Sequence, residues 1–241
     1  MKKRLIFSLL LTTVLLPAAA GAHPVVVELF TSQGCPACPP ADEIFSGMVE
    51  DNPDVLALAF HVDYWDGRGW KDPFGSPKFS DRQHDYADVF GSTSVFTPQI
   101  IVNGMKSLAG GRQRDIYKAI KKAAESDAPA VDVTLEMAAD GKKIRGSIVP
   151  ESEEARGPAD IWLVTYNERN KNRISWGENI GVTFDNRHTV NYLARLGEWK
   201  GGNMEFTMDN GSSADYAAII VQRPNMGEVL GGASVALGEA D

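Results

Sequence analysis

Residues 24–45 read PVVVELFTSQGCPACPPADEIF, and this stretch decides how the rest of the chain is read. Pro24 to Phe30 is a short β-branched run, the composition of a buried strand. Thr31 to Gly34 shows no periodicity and reads as a loop. Cys35-Pro36-Ala37-Cys38 follows, then Pro39 and Pro40, residues tolerated at the start of a helix but not inside one. Apolar Ile44, Phe45, Met48 and Val49 recur at helical spacing. The two cysteines therefore fall at a strand-to-helix junction.

They are the only 2 cysteines in 241 residues, which excludes a cysteine-only metal cage and a disulfide-stapled scaffold. Three readings of the pair remain. As a structural bridge it closes a four-residue loop, worth about 2 kcal/mol against about 4.7 for a loop of a hundred residues. As half of a zinc site it needs two more ligands, and His23, His61, His84 and His188 show no paired spacing. As a redox pair it gains from the helix N-terminus, whose dipole and free N–H groups stabilise a thiolate, while the second cysteine resolves a mixed disulfide. On that reading Cys35 is the exposed nucleophile and Cys38 the resolving thiol.

Outward from this stretch, Val55 to Val62 (VLALAFHV) is a second core-strand run. A Gly, Pro and aromatic stretch covers 63–77, and Ser80 and Gln83 match a capping box for a short helix. Ile100 to Val102 is a strand, Asn103-Gly104 a hairpin turn, and Ile116, Tyr117, Ile120, Ala123 and Ala124 mark an amphipathic helix. After Ala128-Pro129 the pattern changes to short strand-like runs separated by Gly, Asn, Asp and Pro, the pattern of a β-sandwich.

Cys-Pro-Ala-Cys after a strand, Thr97-Pro98 before another, then Asn103-Gly104 and a closing helix, resembles a thioredoxin-like domain over about residues 24–125. The resemblance implies a cis Thr97–Pro98 bond facing the cysteines, with Pro98 holding an extended substrate segment and Thr97 offering its backbone. It also implies that Glu28, on the strand before the motif, assists proton transfer, and that 63–91 is an insertion. The segments Glu28–Asp42, Ala59–Phe74, Thr97–Gln99 and Trp176–Asn179 (WGEN) are similar to an exported bacterial family labelled domain of unknown function 1223. The expected fold class is an α/β thioredoxin-like domain over 23–127 followed by an all-β sandwich-like domain over 128–241.

Other residues bear on the site. His61, at the carboxyl end of its strand, is expected on the cysteine edge of the sheet, where it could tune Cys35, complete a Cys35–Cys38–His61 site for Cu(I), or serve as a core histidine. Trp65, with Tyr64 and Trp70, reads either as an aromatic wall for a bound peptide or as packing under a long loop. Trp176 to Asn179 reads as a turn with no specified chemistry.

Residues 1–22 carry a short basic stretch, an apolar run from Leu5 to Leu16, and Ala20-Gly21-Ala22, the pattern of a cleaved secretory signal. The apolar run is shorter than the roughly 20 residues a membrane span needs, so no stable membrane anchor is expected. The expected location is periplasmic or secreted, where disulfides persist. The formal charge is −8, and loss of residues 1–22, with three basic and no acidic residues, takes it to −11. Such a chain repels phosphate backbones, so nucleic acid is not an expected partner. No Gly-rich phosphate loop follows any strand, so no organic cofactor is expected. The expected activity is thiol–disulfide exchange with exported protein or peptide thiols and disulfides, with Cu(I) handling or a non-enzymatic binding module as alternatives.

Overall fold

The structure is a computed structural model that describes residues 24–128 and 130–238. The signal-peptide reading lies outside the described residues.

The first strand β1 (Val25–Thr31) is buried along its whole length and leads through the cysteine loop into α1 (Pro39–Asp51). Strand β2 (Val55–His61) then pairs parallel to β1, with Thr31 opposite His61. Helix α2 (Pro77–Val89) begins with Pro77 rather than at the expected Ser80. Ser80 Oγ instead donates to Asp63 Oδ1 at 2.5 Å, and the Gln83 amide donates to Phe96 O and Gln99 Oε1. Neither side chain caps the helix. Strands β3 (Gln99–Val102) and β4 (Lys106–Ala109) form the expected hairpin. Its turn places Asn103 and Gly104 at positive φ, and Asn103 Oδ1 accepts from Val26 N–H at 2.7 Å. Helix α3 (Gln113–Ala124) follows.

The second half is all strand: β5 (Val131–Met137), β6 (Lys143–Pro150), β7 (Ala159–Arg173), β8 (Thr183–Trp199), β9 (Met204–Asp209), β10 (Tyr216–Gln222) and β11 (Val229–Ala236). The expected fold class is corrected here. These strands do not make a separate sandwich after an α/β domain. Four of them complete one mixed eight-stranded sheet in the order β11-β10-β7-β8-β2-β1-β3-β4, and β5, β6 and β9 form a small second sheet. The protein is mostly β, with three α-helices among the described residues.

The physical reason lies in β2 and β10. Both are buried on both faces, so each needs a neighbour on either edge and a layer above and below. β1 satisfies one edge of β2, and β8 satisfies the other through Ala59 opposite Thr189. Even-numbered side chains of β1, β2 and β10 (Val26, Phe30, Leu58, Phe60, Ala218, Ile220) form one core with Phe79 and Tyr86 of α2. Odd-numbered ones face the other way. Val27, Leu29, Ala57 and Ala59 pack on Phe45 and Met48 of α1 and Ile116 and Ile120 of α3, and Ile219 and Val221 pack on the small sheet.

Candidate functional site

Cys35 and Cys38 form a disulfide with a Cα–Cα distance of 5.4 Å. Cys38 is the N-cap residue of α1, and its carbonyl accepts from Ala41 N–H at 2.9 Å and Asp42 N–H at 3.0 Å. Two expectations change here. Pro39 and Pro40 carry no N–H and the next two amides are spent on Cys38, so the helix start offers the sulfurs no free backbone donors. Cys35 is not the exposed cysteine, because both residues have 0 % relative exposure.

What encloses the Cys35 loop is the tip of the long β7–β8 hairpin. Asn179 Nδ2 donates to the carbonyls of Gln33 at 2.9 Å and Cys35 at 2.8 Å. The Gln33 side chain is fully used: its amide nitrogen donates to Asn172 Oδ1 at 2.7 Å and Asn186 Oδ1 at 2.8 Å, and its oxygen accepts from Asn172 Nδ2 and Trp70 Nε1. Gln33 N–H also donates to Asp72 Oδ2 at 2.7 Å. Gly177 lies against Gly69 and Trp70 so closely that a Cβ at Gly177 would meet backbone at 3.1 Å. Trp176 and Ile180, on the same tip, are 70 % and 63 % exposed.

The Thr97–Pro98 bond is cis, as expected. A Cβ on Gly110 would stand 2.8 Å from Pro98 Cβ and 3.0 Å from Ala41 Cβ, so Pro98 sits at the first turn of α1. Trp65 Nε1 donates to Thr97 Oγ1 at 2.8 Å, and a Cβ at Gly34 would meet Trp65 Cβ at 3.1 Å. The fold thus brings Trp65, Thr97 and Pro98 to the cysteine loop.

Glu28 is placed elsewhere. Side chains alternate along β1, so Glu28 and Thr31 face opposite sides of the sheet, and Thr31 is on the side of α1. Glu28 is bound by Arg82 Nε at 2.6 Å, Arg82 Nη2 at 3.0 Å and Tyr86 Oη at 2.5 Å. The expected proton-transfer role is corrected to that of a buried counter-ion for Arg82.

His61 shares the face of Thr31 because the two are paired in register in parallel strands. Its Nδ1 meets Asp72 Oδ2 at 2.8 Å, and both side chains have 0 % exposure. Burial alone lowers the imidazole pKa, but the Asp72 carboxylate more than offsets this and holds it above its ordinary value. Burial likewise raises Asp72, yet His61 and the donated Gln33 and Phe74 amides leave it below the usual carboxylate range. Asp42, in the first turn of α1, accepts from Thr31 Oγ1 at 2.8 Å and Asn186 Nδ2 at 2.9 Å. Burial pushes it up to about 6, against the opposing His61 charge and the Thr31 hydrogen bond. Among the described residues, no group of three or more His, Cys, Asp or Glu is arranged to hold a metal ion.

Gln33, Asp42, Asp72, Asn172, Asn179 and Asn186 were not identified as site residues by sequence reasoning. Gln33 and Asp42 flank the cysteine motif, and Asn179 ends the Trp-Gly-Glu-Asn segment, so the family segments were the available signal for these three.

A crystal structure of protein AGR_C_4864 from Agrobacterium tumefaciens is 28 % identical, with a TM-score of 0.79 over 92 % of this chain and 98 % of that one. HBP35 of Porphyromonas gingivalis shares the fold at 16 % identity, with a TM-score of 0.67 over 93 % of this chain and 78 % of that one. No curated protein matches the sequence. The family model described as "Protein of unknown function (DUF1223)" matches residues 26–222, and the chain belongs to that family.

Proposed function

We propose that the protein is an exported thiol–disulfide oxidoreductase acting on protein or peptide substrates through Cys35 and Cys38. The observation that carries this reading is the disulfide itself, formed by a local Cys-x-x-Cys at the cap of α1 and set against buried ionisable groups. A bridge closing so short a loop adds little stability. The surrounding polar network is costly to bury. The Cys35 thiolate attacks one sulfur of a substrate disulfide, the other substrate sulfur leaves as a thiolate and takes a proton from water, and Cys38 then displaces the substrate from Cys35. Thr97, cis-Pro98 and Trp65 form the flank along which an extended substrate segment is held.

Dithiothreitol-driven reduction of insulin tests this reading. The protein is expected to accelerate the reaction catalytically, and Cys35→Ser is expected to abolish the acceleration. The alternative Cu(I) role has a different signature: stoichiometric anaerobic binding of Cu(I) by the reduced protein, weakened by His61→Ala, with no insulin turnover.

A further inference from the structure

Beside the first turn of α1 lies a buried set of titratable side chains, Asp42, His61 and Asp72, that the exchange of sulfur bonds does not itself employ. Cys38 has helical φ and ψ, and Asp42 follows it by four residues on α1, so the two side chains share a helix face with Cβ atoms about 5–6 Å apart. Both residues are buried. The hydrogen-bond partners of the Asp42 carboxylate are the neutral groups of Thr31 and Asn186. On β2, His61 has one ring nitrogen anchored on Asp72, while the other, Nε2, is buried with no hydrogen-bond partner. A histidine anchored on one nitrogen and unspent on the other is arranged to take or give a proton.

We propose that Asp42, with His61 and Asp72 behind it, is the proton-exchange site of the cysteine pair. The proposal rests on the redox reading and names the residues that govern its pH dependence. Asp42 takes the Cys38 proton when the disulfide closes and returns it when the disulfide opens. His61 and Asp72 are positioning residues that set the charge felt by Asp42.

In the closing step Cys35 carries a substrate sulfur as a mixed disulfide. The Cys38 S–H bond breaks and its proton passes to the Asp42 carboxylate. The freed electron pair forms the bond to Cys35 Sγ, and the bond from Cys35 Sγ to the substrate sulfur breaks. The departing thiolate takes a proton from water. The substrate disulfide is thereby reduced to two thiols, and the cysteine pair is oxidised by the same two electrons.

The groups that bond to Asp42 or act on its charge come from the elements packed against it: Thr31 on β1, His61 on β2, Asn186 on β8, and Asp72 on the loop before α2. Asp66 approaches Asp72 in turn, accepting from its N–H at 3.0 Å. With burial holding Asp42 near 6, it is ready to accept a proton above that pH and not below it.

The test is single-turnover oxidation of the reduced protein by glutathione disulfide, quenched with acid and resolved by mass spectrometry into mixed-disulfide and closed forms. Closure by the unmodified protein is expected to rise with pH and level off above about 6. Asp42→Asn is expected to slow closure at pH 7 by roughly 100-fold and to remove that inflection. His61→Gln keeps Asp42 but removes the charge that lowers it, so the inflection is expected to move to higher pH. An Asp42→Asn profile matching the unmodified protein, or an inflection unmoved by His61→Gln, would overturn the proposal while leaving thiol exchange standing. An unmodified protein that forms neither mixed nor closed disulfide would remove both readings.

Discussion

Arg82→Met is expected to destabilise the protein by about 3–5 kcal/mol, the largest stability loss foreseen for any residue outside the cysteine site. Arg82 is 2 % exposed and its guanidinium is the only cation bonded to Glu28 among the described residues. It also reaches Gln222 Oε1 at 3.1 Å and lies 5.0 Å from the Trp162 ring. Its removal strands a buried carboxylate between β1 and α2. The charge state follows the same logic: burial lowers the guanidinium pKa, and Glu28 beside it more than compensates. At about 2–4 °C per kcal/mol for a chain of this length, the loss amounts to a Tm lower by roughly 10 °C. Glu28→Gln combined with Arg82→Met is expected to recover most of it, because a neutral pair carries no stranded charge. Calorimetry of the single and double variants decides the point. A double variant no more stable than Arg82→Met would refute the stranded-charge account.

Asn179→Ala is expected to open the cysteine site. A pair with no exposed surface meets a substrate only after the covering segment moves, and Asn179 is the residue that ties the hairpin tip to the carbonyls of Gln33 and Cys35. Each of its two hydrogen bonds is worth about 0.5–1.5 kcal/mol net. Their loss lowers the cost of opening by about 2 kcal/mol, which is roughly a 30-fold faster attack by a small thiol. Stopped-flow reduction of the disulfide by dithiothreitol measures this rate. An unchanged rate would show that the hairpin tip does not limit access. Trp176 and Ile180 flank Asn179 on the outer surface of the same tip, so a substrate polypeptide touching them also touches the segment that must move.

Local features of the site were legible in the sequence, and its long-range partners were not. The strand before the cysteines, the helix after them and the Asn103-Gly104 turn follow from residues within a few positions of each other, and cis-Pro98 was implied by the thioredoxin-like resemblance. Gln33 bonds to Asn172 and Asn186, 139 and 153 residues away, and nothing in the spacing of three amide side chains announces such a meeting. The fold class failed for the same reason. The β2–β8 junction joins Ala59 to Thr189 through a single register point, and a sequence read locally splits the chain between those two strands, at 127–128. A clue was present in the run Ala217 to Val221, which is apolar without alternation. Such a run marks an interior strand covered on both faces, whereas sandwich strands alternate. Glu28 was assigned by its nearness to the motif, but strand parity turns it away from the cysteines.

The central claim is that Cys35 exchanges disulfides with polypeptides and Cys38 resolves the product. Cys38→Ser leaves Cys35 able to attack and removes the thiol that releases the adduct. The most direct measurement is non-reducing electrophoresis with mass spectrometry of this variant expressed in an exported compartment, beside Cys35→Ser. The account predicts covalent adducts between Cys35 and exported polypeptides for Cys38→Ser, and few or none for Cys35→Ser. Absence of adducts with Cys38→Ser would contradict it.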